Sequence, residues 1–421
     1  MLRALFRGRR DGASGDRRSG AGGASVFALA GFGTAAPSAR AGRGIERFDR
    51  PLVLVVAALV LIGIVMVYSA SISLADSPRY NVTPTYFLVR HLFALAVAFA
   101  AAVAAFSVPL ATWQRLAPWL FLGCLVLLVA VLIPGLGTGA LGARRWISLR
   151  LFNLQPSELM KLACVLYAAD FTVRKQDYMH RFWKGFGPLG FAMLTIAVLV
   201  GRQPDLGAAL MLMVIGMGIL FLGGLSLRLC VAVALIGIAG LAVVILHGAA
   251  FRLERIEAYI DPFAPQHAYA KGYQLTHSLI AFGRGEWFGV GLGGSVEKLH
   301  YLTEAHTDFI LAVIGEELGL VGVLTVIVLF YWLVKRAFEI GRQAVALERT
   351  FAGLVAQGIG LWIGVQAFVN MGVATGLLPT KGLTLPFMSY GGSALVATVV
   401  AVALLLRVDW ENRVLMRGGR A

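Results

Sequence analysis

The chain has 421 residues, 58% of them hydrophobic and 14% charged, with 37 basic against 22 acidic side chains and a formal net charge of +15. Apolar runs of roughly 18 to 24 residues follow one another along most of its length, each long enough as a helix to cross about 30 Å of hydrocarbon. This argues against a soluble enzyme, and the lack of ten-residue alternation argues against a membrane β-barrel.

The predicted architecture is an all-α polytopic membrane protein. Residues 1–48 are rich in Arg, Gly, Ser and Ala and too poor in apolar residues to build a core, so they read as a disordered basic tail. Ten spans follow at roughly 51–72, 87–107, 117–134, 158–173, 186–201, 207–223, 228–249, 308–334, 351–375 and 390–407. The membrane domain is thus 49–413, with a short tail at 414–421. An even count puts both termini on one side. Ten arginines before Pro51 lie there, with Arg174, Lys175, Arg181 and Lys184 after span four, Lys335, Arg336, Arg342 and Arg349 after span eight, and Arg407, Arg413, Arg417 and Arg420 at the end. The positive-inside rule makes that side cytoplasmic. The basic excess is therefore a topology signal with attraction to anionic headgroups, not a nucleic-acid footprint. Cys124, Cys164 and Cys230 fall within or at the ends of spans and read as free thiols packed as small apolar groups.

Chemistry-bearing residues concentrate in the outer segments. In the first, GARRWISLRLFNLQPSELMK, Arg144 and Arg145 flank Trp146 at an interface where the positive-inside bias disfavours arginine, which suggests a local anion such as a lipid phosphate. Gln155, Pro156, Ser157 and Glu158 make a helix start, and Glu158 can pair with Lys161 at i,i+3. In RQPDLG, which holds Gln203, Arg202 and Asp205 read as a local ion pair and cap. The long loop at 250–307 carries aromatics, paired charges and glycine punctuation, including Gln274, and is expected to form short helices at the membrane surface.

That loop runs into TEAHTDFILAVIGEELG. Asp308 falls in the first turn of span eight, where it either caps the helix against the dipole or does chemistry, and Glu304 and His306 crowd it. Glu316, roughly 12 Å further along the axis, and Glu317 lie where acids must pair or line a cavity. They are expected to form a structural pair with partners inside the membrane or toward the cytoplasm. The last outer segment places Lys381 between Pro379 and Pro386, in backbone that cannot continue as helix, and SYGGS ends on Ser393 at the start of span ten.

The combination of ARRWI, QPSELMK, RQPDLG, KGYQLTHSLIAFGRGE, EAHTDFILAVIGEELG, LPTKGLTLP and SYGGS resembles the SEDS family of cell-wall polymerases, from span one to residue 413. Lys381 in TKGLTLP resembles the cell-division branch rather than the elongation branch. One departure is Thr303, where the family often has proline. The resemblance implies a ten-helix glycosyltransferase in the bacterial inner membrane at the division septum, polymerising lipid II on its periplasmic side. It implies a catalytic acid at Asp308 and sensitive positions at Trp146, Lys381 and the QPSE segment. The implied partners are a class B penicillin-binding transpeptidase and divisome activator proteins.

For that reaction Asp308 is the expected general base, with Glu304 and His306 as tuners. Arg144, Arg145, Trp146, Gln155, Glu158, Lys161, Lys381 and Ser393 are expected substrate-binding residues, supported by Gln203, Asp205 and Gln274. No cofactor is firmly implied. A divalent cation, Mg or Mn, could share the pyrophosphate clamping with Asp308 as its ligand, and the sequence does not separate that role from the base. A lipid II flippase and a non-enzymatic divisome scaffold are the other classes this architecture admits. The first needs polar residues across the whole bilayer, whereas most of these clusters sit at one face.

Overall fold

In a computed structural model of the chain, the described residues are 49–76, 82–140, 143–148, 153–179, 181–246 and 257–419. The tail expected at 1–48 lies outside them. Each predicted span coincides with a helix: α1 (Arg50–Ser71), α2 (Tyr86–Ser107), α3 (Leu110–Leu132), α4 (Pro156–Arg174), α5 (Gly187–Gly201), α6 (Leu206–Leu222) and α7 (Leu227–Leu246). After the loop helix α8 (Tyr273–Gly285) come α9 (Ile310–Ala346), α10 (Thr350–Ala374) and α11 (Gly392–Met416).

Among the described residues, seven helices are by themselves long and apolar enough to cross a membrane, and α4, α6 and α7 complete the ten expected. α6 is apolar but only 17 residues long. α4 carries Glu158, Lys161, Asp170 and Arg174, yet most of its side chains are buried against other helices, so it does not need a lipid-compatible surface. α10 and α11 are central too, with 72% of their apolar windows buried against 22% for α2, which leaves α2 largely for lipid.

A small antiparallel sheet, not foreseen in the sequence, lies between α3 and α4, formed by β1 (Gly137–Ala140), β2 (Ala143–Ser148) and β3 (Asn153–Leu154) in the order β1-β2-β3. Thr138 lies opposite Trp146, and a register shift follows at Gly139, which pairs with Arg144. This hairpin holds Arg145 over the end of α5, where its Nε donates to the Gln203 carbonyl at 3.3 Å.

α9 runs for 37 residues but is broken at Gly319, whose φ of 66° and ψ of −163° leave the helical region. The segment after α8 fills the gap. Val290 and Gly291 donate amides to the carbonyls of Glu316 and Glu317 at 2.9 and 3.1 Å, while Leu320 and Val321 donate to Glu286 and Trp287 at 2.9 and 3.2 Å. The groups that a broken helix would leave unpaired are thus satisfied. A Cβ at Gly319 would lie 2.4 Å from the Gly289 nitrogen, so both the backbone angle and the close approach require glycine there.

The two acids at the break are held structurally, as expected, by partners from this loop and from Ser69 in α1. Glu316 accepts the Val296 and Glu297 amides at 2.9 and 3.3 Å and the Ser295 hydroxyl. Glu317 pairs with Lys298 at 2.7 Å and accepts the Ser69 hydroxyl at 2.7 Å, all three side chains buried.

At the far ends of α9 and α11 sits an ionic cluster. Asp49, the N-cap of α1, pairs with Arg336 and lies 3.6 Å from Arg413, which binds Asp409 at 2.6 Å. Glu411 accepts from Arg407 at 2.7 Å, pairs with Arg349 and takes the Leu110 amide at 3.1 Å. α11 continues through the expected domain end at 413 as far as Met416.

Candidate active site

Asp308 lies in the turn ahead of α9. The amides of Thr307, Asp308 and Phe309 all converge on the Glu304 carbonyl at 3.1–3.2 Å, with Glu304 itself at φ 60°. From α10, Asn370 donates its Nδ2 to the Asp308 carbonyl at 2.8 Å and to the Leu383 carbonyl at 2.6 Å. The carboxylate faces Gly382, where a built Cβ would stand 2.8 Å from Oδ2. The absence of a side chain at 382 is what lets the Lys381 loop and the acid meet.

Two cavities adjoin this point. One, of about 390 Å³, is lined by Lys271, Gln274, Lys381, Asp308, Arg145 and Asp205 among others. The other, of about 520 Å³, is lined by Arg90, Trp146, Gln155, Glu304, Tyr390 and Ser393 among others. Arg145, Asp205, Asp308 and Gly382 belong to both, so Asp308 stands in a common wall.

Electrostatics there favour a proton-accepting acid near neutrality. Burial first, and then the neighbouring Glu304 and Asp205 charges, push the Asp308 carboxyl up to about 7, while Arg145 pulls the other way. Arg145 itself is steered by backbone carbonyls of Gln203 and Pro204, with its Nε 4.0 Å from Asp205. Asp205 caps α6 by accepting the Ala208 amide at 3.1 Å. His306 is buried between Phe87 and Tyr390, with ring centroids 4.8 and 5.5 Å away, and burial lowers its pKa against an opposing pull from Glu304.

The remaining expected residues divide into two groups. Trp146, Gln155, Glu158, Ser393, Gln274 and Lys381 line one cavity or the other. The Ser393 hydroxyl is also a stitch, accepting the Gln155 amide and donating to the Asn153 carbonyl, both at 2.9 Å. Gln274 donates to Thr303 at 2.9 Å. Arg144 is exposed on β2. Gln203 is buried, with its amide on the Leu128 carbonyl at 3.0 Å. Lys161 is fully buried, 2.6 Å from Glu158 and 2.8 Å from Gln366 Oε1, so its ammonium is held inside the bundle.

Several residues escaped the sequence reading: Arg90 and Lys271 on the cavity walls, Gly382 against Asp308, and Asn370 with Gln366 behind the loop. A signal for the last two was present, because two amides four apart in an otherwise apolar span share one helix face. Among the described residues, no group of three or more His, Cys, Asp or Glu side chains converges to hold a metal. Asp205 is committed to its cap, and Glu304 takes the Thr307 hydroxyl at 2.8 Å.

Residues 50–414 match the FtsW/RodA/SpoVE cell cycle protein family. The chain is 60% identical over 374 residues to a probable peptidoglycan glycosyltransferase FtsW of Burkholderia thailandensis, covering 89% of this chain and 81% of that one. It is 55% identical over 374 residues to the protein of that description in Polynucleobacter necessarius, covering 89% and 88%. In structure it is similar to a chain of a peptidoglycan synthase complex that coordinates polymerization and crosslinking, with a TM-score of 0.70 and 29% identity over 87% of this chain and 98% of that one. The rod-shape-determining protein RodA of Thermus thermophilus matches with a TM-score of 0.62 and 29% identity over 87% and 97%. The matched length and the shared helical architecture agree: this chain belongs to the FtsW/RodA/SpoVE family.

Proposed function

We propose that the chain is a peptidoglycan glycosyltransferase that polymerises lipid II into septal glycan strands and releases undecaprenyl pyrophosphate. The observation that carries this reading is an acid of raised pKa in the common wall of two cavities, one with Lys271 and Lys381, the other with Arg90, and Arg145 shared between them. Polymerisation joins two lipid-linked sugars, so it needs two adjacent sites and one base between them. Lys271, Lys381 and the shared Arg145 suit the pyrophosphate of the growing strand, and Arg90 that of the incoming lipid II. Trp146 and Tyr390 offer ring faces and Gln155 an amide to the incoming sugar.

Asp308 takes the proton from the acceptor 4-hydroxyl as its oxygen forms a bond to the anomeric carbon of the growing strand. The bond from that carbon to the pyrophosphate breaks, and its electron pair leaves on undecaprenyl pyrophosphate, whose added charge the cations stabilise. A single direct displacement inverts the anomeric centre, because no second carboxylate is needed for a covalent intermediate. By the same reading the cavities face the periplasm, and the Asp49–Arg336–Arg413 cluster lies on the cytoplasmic side with both termini. The partners are a class B transpeptidase, which the likeness to a polymerising and crosslinking complex supports, and divisome activators.

The test is polymerisation of lipid II by the purified chain, with and without its transpeptidase. Glycan strands on a gel support the proposal; transport of fluorescent lipid II in protein-only liposomes without glycan product would replace it by a flippase. Lys381→Ala should lower kcat/KM by about tenfold or more through the leaving group, and unchanged turnover across lipid II concentrations rejects the clamp. The rate should also follow the ionised carboxylate. With Asp308 titrating at about 7, initial rates rise through neutral pH, level off above it and fall on the acid side. A profile flat through that range is incompatible with Asp308 as base.

A further inference from the structure

We propose that Asn370 is the positioning residue for Asp308, a single amide that clamps the acid-bearing turn to the Lys381 loop. Its place in the fold is otherwise hard to account for. Asn370 is 1% exposed within the apolar helix α10, where an amide is costly to bury unless it is bonded and where leucine would fill the same space. What the amide supplies is the donor shared by the carbonyls of Asp308 and Leu383, at 2.8 and 2.6 Å. Two carbonyl oxygens converging on one point repel each other unless a donor stands between them. Without it, the turn and the loop move apart at the place where Gly382 abuts the Asp308 carboxylate.

The clamp is braced from behind. One helical turn earlier, Gln366 donates to the Thr384 carbonyl at 2.9 Å, so α10 holds the loop at two successive residues. The Gln366 oxygen accepts from Lys161 and from Trp362, both at 2.8 Å, which fixes its orientation. The buried Glu158–Lys161 pair thus ends in the same strut that locates Asp308. The strut also accounts for a lysine that reaches no cavity wall.

This proposal rests on Asp308 being the base, and its test keeps the two apart. Asn370→Leu retains the volume and removes the donor; Asn370→Ser retains one donor in a smaller side chain. Both are compared with the parent protein and Asp308→Asn for lipid II polymerisation and melting in detergent. For Asn370→Leu the expected kcat falls about 10²-fold, the effect of roughly 1 Å of misplacement, while KM for lipid II stays within about twofold. The acid limb of its kcat profile moves to lower pH, because a released carboxylate regains water. Asn370→Ser restores part of kcat, and it carries the test if the leucine variant does not fold. A folded Asn370→Leu with kcat within about threefold of the parent overturns the proposal, and where only the serine variant folds, a fully parental kcat there does so. So does a kcat loss with the acid limb unmoved and KM raised in step, which is general damage to the site. If Asp308→Asn keeps polymerising, the base assignment falls; if it is inactive while Asn370→Leu works normally, only the clamp falls.

Discussion

Asp308→Asn should reduce glycan polymerisation by about 10²- to 10⁴-fold, the range that removal of a general base produces. The substitution is nearly isosteric, so the contact with Gly382 and the backbone bond from Asn370 are kept, and the protein should melt as the parent does. What is lost is the ability to accept a proton. Arg145, Lys271 and Lys381 still line the cavity, so lipid II binding should persist and the loss should appear in kcat rather than KM. The measurement is strand synthesis over a range of lipid II concentrations, paired with a detergent melt. Near-parental synthesis by folded protein would remove Asp308 from the chemistry.

The largest stability effect is expected at Lys161. Replacing it by Met leaves the Glu158 carboxylate inside the bundle without its cation, which typically costs about 3–5 kcal/mol. Adding Glu158→Gln should recover much of that loss, because the uncompensated charge is removed with its partner. A detergent melt of the single and double variants reads the difference. KM for lipid II in whatever fraction stays folded should be unchanged. If instead Lys161→Met raises KM without lowering the melting temperature, the lysine is a substrate ligand after all.

Lys161 also shows how far residues alone could go. Its pairing with Glu158 at i,i+3 was legible, because both residues lie on one helix face. Its depth was not, since α4 starts beside polar outer segments and its burial depends on how α10 and α11 pack around it. The helices were legible from hydropathy almost throughout, for a run of apolar residues is a local property. The break at Gly319 was not, because a glycine in an apolar span looks the same whether or not another segment fills the gap beside it. Asp308 stood out by its company of Glu304 and His306, and Glu304 does help raise its pKa, yet the largest cause is burial, which is tertiary, with Asp205 at the start of another helix adding to it. Arg90, Lys271 and Gly382 are each unremarkable in sequence and acquire meaning only where segments far apart in the chain meet.

The break in α9 divides the long outer loop into parts that a change in length would disturb differently. Before Tyr273 the chain is tied to the other wall of the site, with the Tyr259 hydroxyl on the Leu377 carbonyl at 2.8 Å, so a change of length there displaces Lys271 from the cavity lining. From Glu286 to Lys298 the backbone and side chains are registered residue by residue on Glu316, Glu317, Leu320 and Val321. One residue more or fewer in that stretch would slide the register against a helix whose preceding turn carries the acid. The loop therefore sets a cavity wall at one end and acts as a gauge block at the other.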